Sequence, residues 1–486
     1  MNTFTLLEMT ATSFPERIAV HSDGRDITYS ALYRAACGAA ATFQKSGCQY
    51  VSVLDVNSPA VPIALYGAAA AGLSFVPLNY RLTEVELDKL KARIQPLYLV
   101  DQVGREDFIA KSMAYEGESP KVPDDPRAIA VQLFTSGTTG APKAAVLRHE
   151  NLMSYILGTV EFAGADQNEA SLVSVPPYHI AGISAVLSAV YAGRKLVQLP
   201  NFDADDWMKL VENQQVTHAF LVPTMLSRIV ETIDAGRNAC NLGSLRAIAY
   251  GGGNMPEAVI RRALEIFPQV AFTNAYGLTE TSSTIALMTP DDHREALSSN
   301  DPQIAGRLQS VGKPLASVEV EIRDDSGNVL AAGSVGEVYV RGAQVSGEYL
   351  ERKATTSDGW FPTRDRGYLD KLGYLYLMGR ADDIIVRGGE NISPGEIEDV
   401  LTSHEAIADA CVVGIPDSDW GECVVAAVVL AHGKWVDVAA LQQLVRGKMR
   451  SSRVPGEIRF LPSLPYNEMG KLLRRTVREA FCPPAT

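Results

Sequence analysis

The nine residues Thr135-Ser136-Gly137-Thr138-Thr139-Gly140-Ala141-Pro142-Lys143 hold three threonines, one serine, two glycines and one lysine. Glycine lets a backbone approach an anion closely. Backbone N–H groups and hydroxyls can wrap phosphate oxygens, and a lysine adds charge. The stretch follows directly on the apolar run AIAVQLF (128–134), which reads as a buried strand. The order is not G-x-x-x-x-G-K-[ST], so this is not the P-loop NTPase pattern. A flexible surface turn would account for the glycines, but not for the lysine or the position after a buried strand. Phosphate binding is the chemistry this segment offers.

The elements around it set its position. Through the first 300 residues short apolar runs alternate with amphipathic segments. THAFLVP (217–223) and LRAIAYGGG (245–253) are strand-then-loop units, and PEAVIRRALEIF (256–267) has helical spacing. This alternation predicts an α/β architecture with largely parallel sheets. Near residue 310 the texture changes. SVEVEIRDDSGNVL, GEVYVRG and GYLYLMGR alternate at period two between turn residues, which predicts an antiparallel, barrel-like subdomain over about 301–379. After Gly379-Arg380 a fresh α/β pattern starts. PGEIEDVLTSH reads as a helix with proline near its start, and ADACVVGIP and ECVVAAVVLA read as strands. A boundary is expected near 381, dividing the chain into 1–381 and 382–486.

Composition narrows the function classes. At 486 residues the chain is too long for one small core. The net charge of -13 argues against a nucleic-acid partner while leaving room for a local basic pocket. Six cysteines, at 37, 48, 240, 411, 423 and 482, show no C-x-x-C spacing. They read as reduced thiols of a cytoplasmic protein, with neither a disulfide frame nor a zinc site. The N-terminus lacks a basic region followed by an apolar one, so no secretory signal is expected. The stretches 56–80 and 171–193 are free of charge, but both carry prolines. They are expected as buried helix–strand segments, and no integral membrane span is expected.

The loop and the AAVLRHENL after it resemble the phosphate-loop signature of the adenylate-forming superfamily, which comprises acyl- and aryl-CoA ligases, peptide-synthetase adenylation domains and luciferase-like enzymes. Further matches follow in that family's order. They are PPYHIAG (176–182), VPTML (222–226), YGGG (250–253), AYGLTE (275–280), VGKP (311–314), TRD (363–365), GYLYLMGRADDIIVRGGENISPGEIE (373–398) and LPYNEMGK (464–471). The resemblance spans nearly the whole chain and is strongest to a freestanding acyl- or aryl-CoA ligase. It implies a large N-terminal domain of layered α/β sheets with a distorted β-barrel, and a small mobile α+β C-terminal domain hinged at Asp382. It also implies a two-step reaction. An acid and ATP give an acyl-adenylate and pyrophosphate, and a thiol then displaces AMP.

The resemblance assigns roles to matched positions. Thr135, Ser136, Gly137, Thr138, Thr139 and Lys143 would hold ATP phosphates, with Lys143 on pyrophosphate. Tyr276 would face adenine opposite Gly251, Gly252 and Gly253, flanked by Asn274, Ala275, Gly277 and Thr279. Glu280 would carry Mg²⁺, for which a hard carboxylate oxygen is suited. Asp365 would take the ribose hydroxyls with Arg380 nearby, and Lys471 would neutralise charge during acyl transfer. Taken alone, these same residues read as a packing tyrosine, a helix-start glutamate, exposed turn charges and a solvated tail lysine. One departure stands out: the family's T-G-D is Thr363-Arg364-Asp365 here.

Arg387, Gly388, Gly389 and Glu390 would line a pantetheine channel, with Trp420 against CoA or simply packed. The acid pocket would be formed by His179, Ile180, Val222, Gly251 and Ala275. His179 would wall or gate the pocket, or merely pack. No aspartate lies in His179-Ile180-Ala181-Gly182 to meet an α-ammonium, so the expected substrate is a carboxylic acid without an α-amino group. ATP, Mg²⁺ and coenzyme A are the expected cofactors, with CoA or a separate carrier protein as acceptor. A homodimer is allowed for. The alternatives are an acyl-AMP ligase that loads a carrier protein, a luciferase-like oxygenase and a non-catalytic nucleotide-binding protein.

Overall fold

Short apolar runs of the N-terminal part build two large sheets. The computed structural model describes residues 1–135, 142–237, 240–380, 383–388, 390–417, 419–467 and 472–482. One sheet has nine strands in the order Lys313–Pro314, Ser283–Met288, Ala271–Leu278, Ala247–Gly251, His218–Leu221, Ala170–Val173, Lys195–Gln198, Ile18–Ser22 and Arg25–Thr28. The six strands from Ala271–Leu278 to Ile18–Ser22 are parallel, and antiparallel strands close the two edges. The second sheet has seven, in the order Arg352–Lys353, Glu348–Tyr349, Lys143–Arg148, Ile129–Thr135, Ser74–Phe75, Tyr50–Leu54 and Leu97–Asp101. The expected α/β architecture with largely parallel sheets is what the chain adopts.

Helices start where the sequence supplies caps. Thr28 accepts from the Ala31 N–H ahead of helix Tyr29–Ser46, and Asp203 accepts from Asp205 and Asp206 ahead of Ala204–Gln214. Thr83 and Glu86 form a reciprocal capping box at the start of Glu84–Lys91. The two charge-free stretches resolve into short pieces. The first holds helix Ala60–Ala71 and strand Ser74–Phe75, and the second holds helix Ile180–Ala192 after strand Ala170–Val173. Among the described residues no helix is long and apolar enough to cross a membrane.

Two compact units divide the chain. The first comprises Met1–Gly251, Glu257–Glu319 and Val340–Phe361, and the second Gly252–Pro256, Val320–Tyr339 and Pro362–Thr486. The strands that the sequence places ahead of a boundary at 381 are grouped here with the residues after it. They form most of a four-stranded sheet, in the order Glu319–Arg323, Gly336–Arg341, Phe361–Leu369 and Leu375–Arg380. This is the segment expected to be barrel-like. The sheet keeps two edge strands, and no closed barrel occurs among the described strands.

The second unit also holds a long hairpin, Ile407–Asp417 with Gly421–Leu430. Ile397, Leu401, Val412, Val424, Val428, Leu441 and Val445 bury one face of it under helices Pro394–Thr402 and Val438–Lys448. Glu398 and Arg474 form an ion pair beside this core. The Glu398 carboxylate also accepts from the Val412 N–H at 2.7 Å.

Candidate active site

The strands on either side of the expected phosphate loop pair with each other. Strands Ile129–Thr135 and Lys143–Arg148 pair antiparallel with Thr135 opposite Lys143, and the Thr135 hydroxyl reaches the Lys143 carbonyl at 3.4 Å. Ser136, Gly137, Thr138 and Thr139 lie outside the described residues. Lys143 is therefore the first residue of a strand, with its backbone held by the sheet. Its Nζ lies 5.6 Å from the ring centroid of Tyr349. Lys143, Tyr349, Arg93, Pro142, Glu351 and Arg352 line a cavity of about 430 Å³. Arg93 donates to the Pro142 carbonyl at 2.6 Å and pairs with Glu351. Three cations against one carboxylate make this a basic pocket within an acidic protein.

Glu280 sits at a tight reversal. Strand Ala271–Leu278 ends in a 3₁₀ turn, Thr279–Thr281, and returns as Ser283–Met288. The turn is held from inside. The Thr281 hydroxyl donates to the Leu278 and Ser283 carbonyls. The buried Gln344 amide donates to the Thr281 and Thr284 carbonyls at 3.2 and 2.7 Å. Ser282 and Ser283 take φ of 56° and 110°, conformations that an L-residue rarely adopts. Gly277 is required by its neighbour, because a β-carbon there would lie 1.8 Å from the Ser283 carbonyl oxygen.

The result is a buried Glu280, only 8% exposed, whose Oε1 accepts a 2.6 Å hydrogen bond from the Tyr349 hydroxyl. The Glu280 carbonyl accepts from the Ser346 and Gly347 N–H groups at 2.9 and 3.1 Å. Glu280 and Lys143, 137 positions apart in the chain numbering (280 − 143), thus meet at one tyrosine. Nothing in the local sequence Gly347-Glu348-Tyr349-Leu350 marks that tyrosine for chemistry; its place comes from strand pairing.

The other residues of the first unit expected to meet nucleotide lie at the ends of neighbouring strands. Tyr276 is half-buried opposite Ala286, beside Thr279 at the start of the turn. The Asn274 amide donates to the Ser310 carbonyl at 3.3 Å. Ala275 pairs with Gly251, where a β-carbon would come within 2.2 Å of the Ala275 carbonyl oxygen. Tyr250, just before that glycine, donates to His293 Nε2 at 2.8 Å. His293 Nδ1 lies 2.8 Å from the Thr289 carbonyl, so Nδ1 carries the proton.

The expected acid-pocket residues share one edge. Gly251 ends its parallel strand, Val222 follows His218–Leu221, and His179 and Ile180 follow Ala170–Val173. In open α/β sheets ligands bind outside the carboxyl ends of strands. His179 precedes helix Ile180–Ala192 and lies 4.6 Å, ring to ring, from Tyr178, which in turn meets Tyr80 edge-on. Its Nε2 is buried with no hydrogen-bond partner among the described residues, and burial pushes its pKa down to about 4. At neutral pH its imidazole is uncharged in this buried setting.

The second unit holds the remaining expected residues. Asp365 and Arg380 are direct cross-strand partners, with Arg380 Nε 3.3 Å from the carboxylate. Arg380 also donates to the Thr363 carbonyl at 3.3 Å. Arg364 between them is exposed at φ 66°, its N–H bonded to Glu337. Gly252 and Gly253 belong to this unit and are exposed. Arg387 donates to the Ser452 carbonyl at 2.7 Å, and Glu390 accepts from the Ser452 hydroxyl at 2.7 Å. Trp420 is 55% exposed; its carbonyl accepts from the Gly388 N–H, and the Arg387 guanidinium lies 5.9 Å from its ring centroid. Gly389, the hinge Asp382 and Lys471 lie outside the described residues.

A parallel-sheet edge bearing glycines and an aromatic leads into a turn whose carboxylate meets, at one tyrosine, the lysine of a basic cavity. The chain belongs to the AMP-binding enzyme family. That family's model matches residues 7–350, and the model of the AMP-binding enzyme C-terminal domain matches 396–471. A fatty acid–[acyl-carrier-protein] ligase, ScoC of Streptomyces coeruleorubidus, is 32% identical over 96% of this chain and 94% of its own length. A 2-succinylbenzoate–CoA ligase of Bacillus cereus (strain Q1) is 31% identical over 96% of each. Among solved structures, o-succinylbenzoate CoA synthetase (MenE) from Bacillus subtilis is similar over 98% of both chains, at 28% identity and a TM-score of 0.83, in complex with the acyl-adenylate OSB-AMP. The same synthetase with ATP and a magnesium ion is similar at 29% identity, a TM-score of 0.82, and 97% and 98% coverage.

Proposed function

We propose that this protein is an ATP-dependent carboxylic acid–CoA ligase. A carboxylate oxygen of the acid attacks the α-phosphorus of ATP, pyrophosphate leaves and the acyl-adenylate remains. The sulfur of CoA then attacks the acyl carbonyl carbon, AMP leaves with the bonding pair, and the acyl-CoA is released. A carboxylate is a poor electrophile, and attachment to AMP supplies the leaving group it lacks. The observation that carries this reading is the meeting of Glu280 and Lys143 at one tyrosine beside a basic cavity, in a chain of this family.

The residues fit the groups they would hold. Magnesium is commonly bound through one or two carboxylates together with substrate phosphate oxygens and water. Glu280 is a buried hard-oxygen donor already oriented by a hydrogen bond, which suits that role. The ion, when bound, neutralises phosphate charge. Lys143 holds the leaving pyrophosphate, and Tyr276 and Gly251 offer surfaces for adenine. Asp365 takes the ribose hydroxyls, with Arg380 as its partner. His179, Ile180, Val222 and Ala275 shape the acid pocket, whose uncharged character suits the body of an acid without an α-ammonium. Lys471 neutralises the charge that develops during acyl transfer, and the C-terminal domain pivoting at Asp382 exchanges that step for thioester formation at Arg387, Gly388, Gly389, Glu390 and Trp420.

Acid-dependent exchange of labelled pyrophosphate into ATP tests the first step, and CoA-thioester formation across fatty, aromatic and polycyclic acids tests the second. Lys471→Ala is expected to slow exchange by about 10²–10³-fold, the usual scale for removing one transition-state charge partner, and to leave thioester formation from a supplied acyl-adenylate within a few-fold. Full exchange activity in that variant would refute the assigned role. The fatty acid–[acyl-carrier-protein] ligase among the relatives favours one second reading, in which a separate carrier protein is the acceptor. Product on a phosphopantetheinylated carrier with none on CoA would establish it. The homodimer allowed for by the sequence is read from the mass of the protein in solution.

A further inference from the structure

We propose that Tyr349 is a positioning residue that aims the Glu280 carboxylate and the Lys143 ammonium at one metal–triphosphate group. The inference rests on the ligase reading above and adds a residue to it. Tyr349 occupies the two-residue strand Glu348–Tyr349, which pairs with strand Lys143–Arg148 at Ala145. Its chain neighbours are fastened on both sides. The Leu350 N–H donates to the Ala144 carbonyl at 2.9 Å, and the Ser346 hydroxyl donates to the Val146 carbonyl at 2.7 Å. Glu348 receives both the Nε and an Nη of Arg148, at 2.9 and 2.7 Å. Ser346 and Gly347 also donate their N–H groups to the Glu280 carbonyl. The segment 346–350 therefore links the strand that starts at Lys143 to the turn that carries Glu280.

On this anchored backbone one side chain meets three charged groups. The phenol O–H holds one oxygen of Glu280 at 2.6 Å, which sets the rotation of the carboxylate. The ring face receives the Lys143 ammonium at 5.6 Å and the Arg352 guanidinium at 5.9 Å. A cation within about 6 Å of an aromatic centroid is attracted to its face. Groups that hydrogen-bond a metal ligand, without touching the metal, orient it and tune its affinity. Tyr349 stands in that relation to Glu280.

Two variants separate the hydroxyl from the ring. Tyr349→Phe removes the hydrogen bond and keeps the ring; Tyr349→Leu removes both. Binding of ATP is measured by calorimetry with excess Mg²⁺ and again with a chelator. Tyr349→Phe is expected to weaken binding of ATP with Mg²⁺ by about tenfold or more, the range for lost metal-ligand supports, while metal-free ATP binds as to the parent. Tyr349→Leu is expected to weaken both forms. In a cycle with Glu280→Gln, adding Tyr349→Phe is expected to cause no further loss. Parent-like Mg²⁺ dependence in Tyr349→Phe, equal loss of both forms, or additive losses in the cycle would each overturn the proposal. Absence of acid-dependent exchange in the parent enzyme is a different outcome, since it overturns the ligase reading itself.

Discussion

Arg364 occupies a backbone position made for glycine. At φ 66° an L-residue with a β-carbon bears roughly 1–2 kcal/mol of steric cost. Its side chain is exposed and its N–H is satisfied by Glu337, while Asp365 is engaged by Arg380. Arg364→Gly is therefore expected to stabilise the second unit. The gain should be about 0.5–1 kcal/mol once the greater freedom of glycine in the unfolded chain is set against it. ATP affinity should stay within twofold. A urea melt and a calorimetric titration read the two effects, and a clear change in ATP affinity would mean that the arginine reaches the nucleotide. At this scale the sequence could name the expected site residues in Ala275–Glu280 and Thr363–Asp365, because each set is contiguous in the chain. It gave no sign of Tyr349, whose role depends on a strand pairing across about 200 positions of chain (349 − 145). It also gave no sign of the left-handed serines 282 and 283, because serine has no particular preference for that region.

The turn between strands Ala271–Leu278 and Ser283–Met288 is the element on which the site depends. It packs a glycine against a carbonyl, reverses through a 3₁₀ turn and stores backbone strain in two serines. Gly277→Ala places a methyl group 1.8 Å from the Ser283 oxygen, which is backbone and cannot swing away. The strands must part, at a cost of about 3 kcal/mol, the upper range for overpacking. Glu280 moves with them, so thermal stability and Mg²⁺-dependent ATP binding are expected to fall together. A variant with parent-like ATP binding would show that the turn absorbs the methyl group. Element types were legible for the same reason that this turn was not. Apolar runs and helical spacing report which face is buried, whereas a close backbone approach leaves only a glycine behind. The barrel-like expectation shows the same limit. Period-two alternation reports two faces of a sheet, but closure depends on how edge strands pair, and here Glu319–Arg323 and Leu375–Arg380 remain edges.

Across the whole molecule, histidine burial sets a pH response. His149, His179 and His218 have pKa values pushed down to about 4 by burial, and burial also lowers that of His293. All four belong to the first unit. An unfolded imidazole binds its proton near pH 6.5, so between about 6.5 and 4 the unfolded chain holds more protons than the folded one. Stability therefore rises with pH across that window and is lost on acidification, by up to about 1.4 kcal/mol per pH unit for each imidazole. Calorimetric scans from pH 7.5 to 4.5 are expected to show the transition of the first unit falling steeply. Replacing His293 by glutamine should flatten the slope; an unchanged slope would assign the effect to other groups.

The second unit is not a contiguous tail. It draws on Gly252–Pro256 and Val320–Tyr339 as well as everything from Pro362 onward. The Thr363 hydroxyl donates to the Val338 carbonyl at 2.8 Å, and the Arg364 N–H meets Glu337, so its strands answer to partners encoded some 25 residues earlier. Crossovers between relatives of this enzyme therefore have unequal chances of yielding a working hybrid. A junction at 361 separates Thr363 from its parental Val338 and divides one sheet between two ancestries. A junction beyond Arg380 lets the whole sheet be inherited from a single parent.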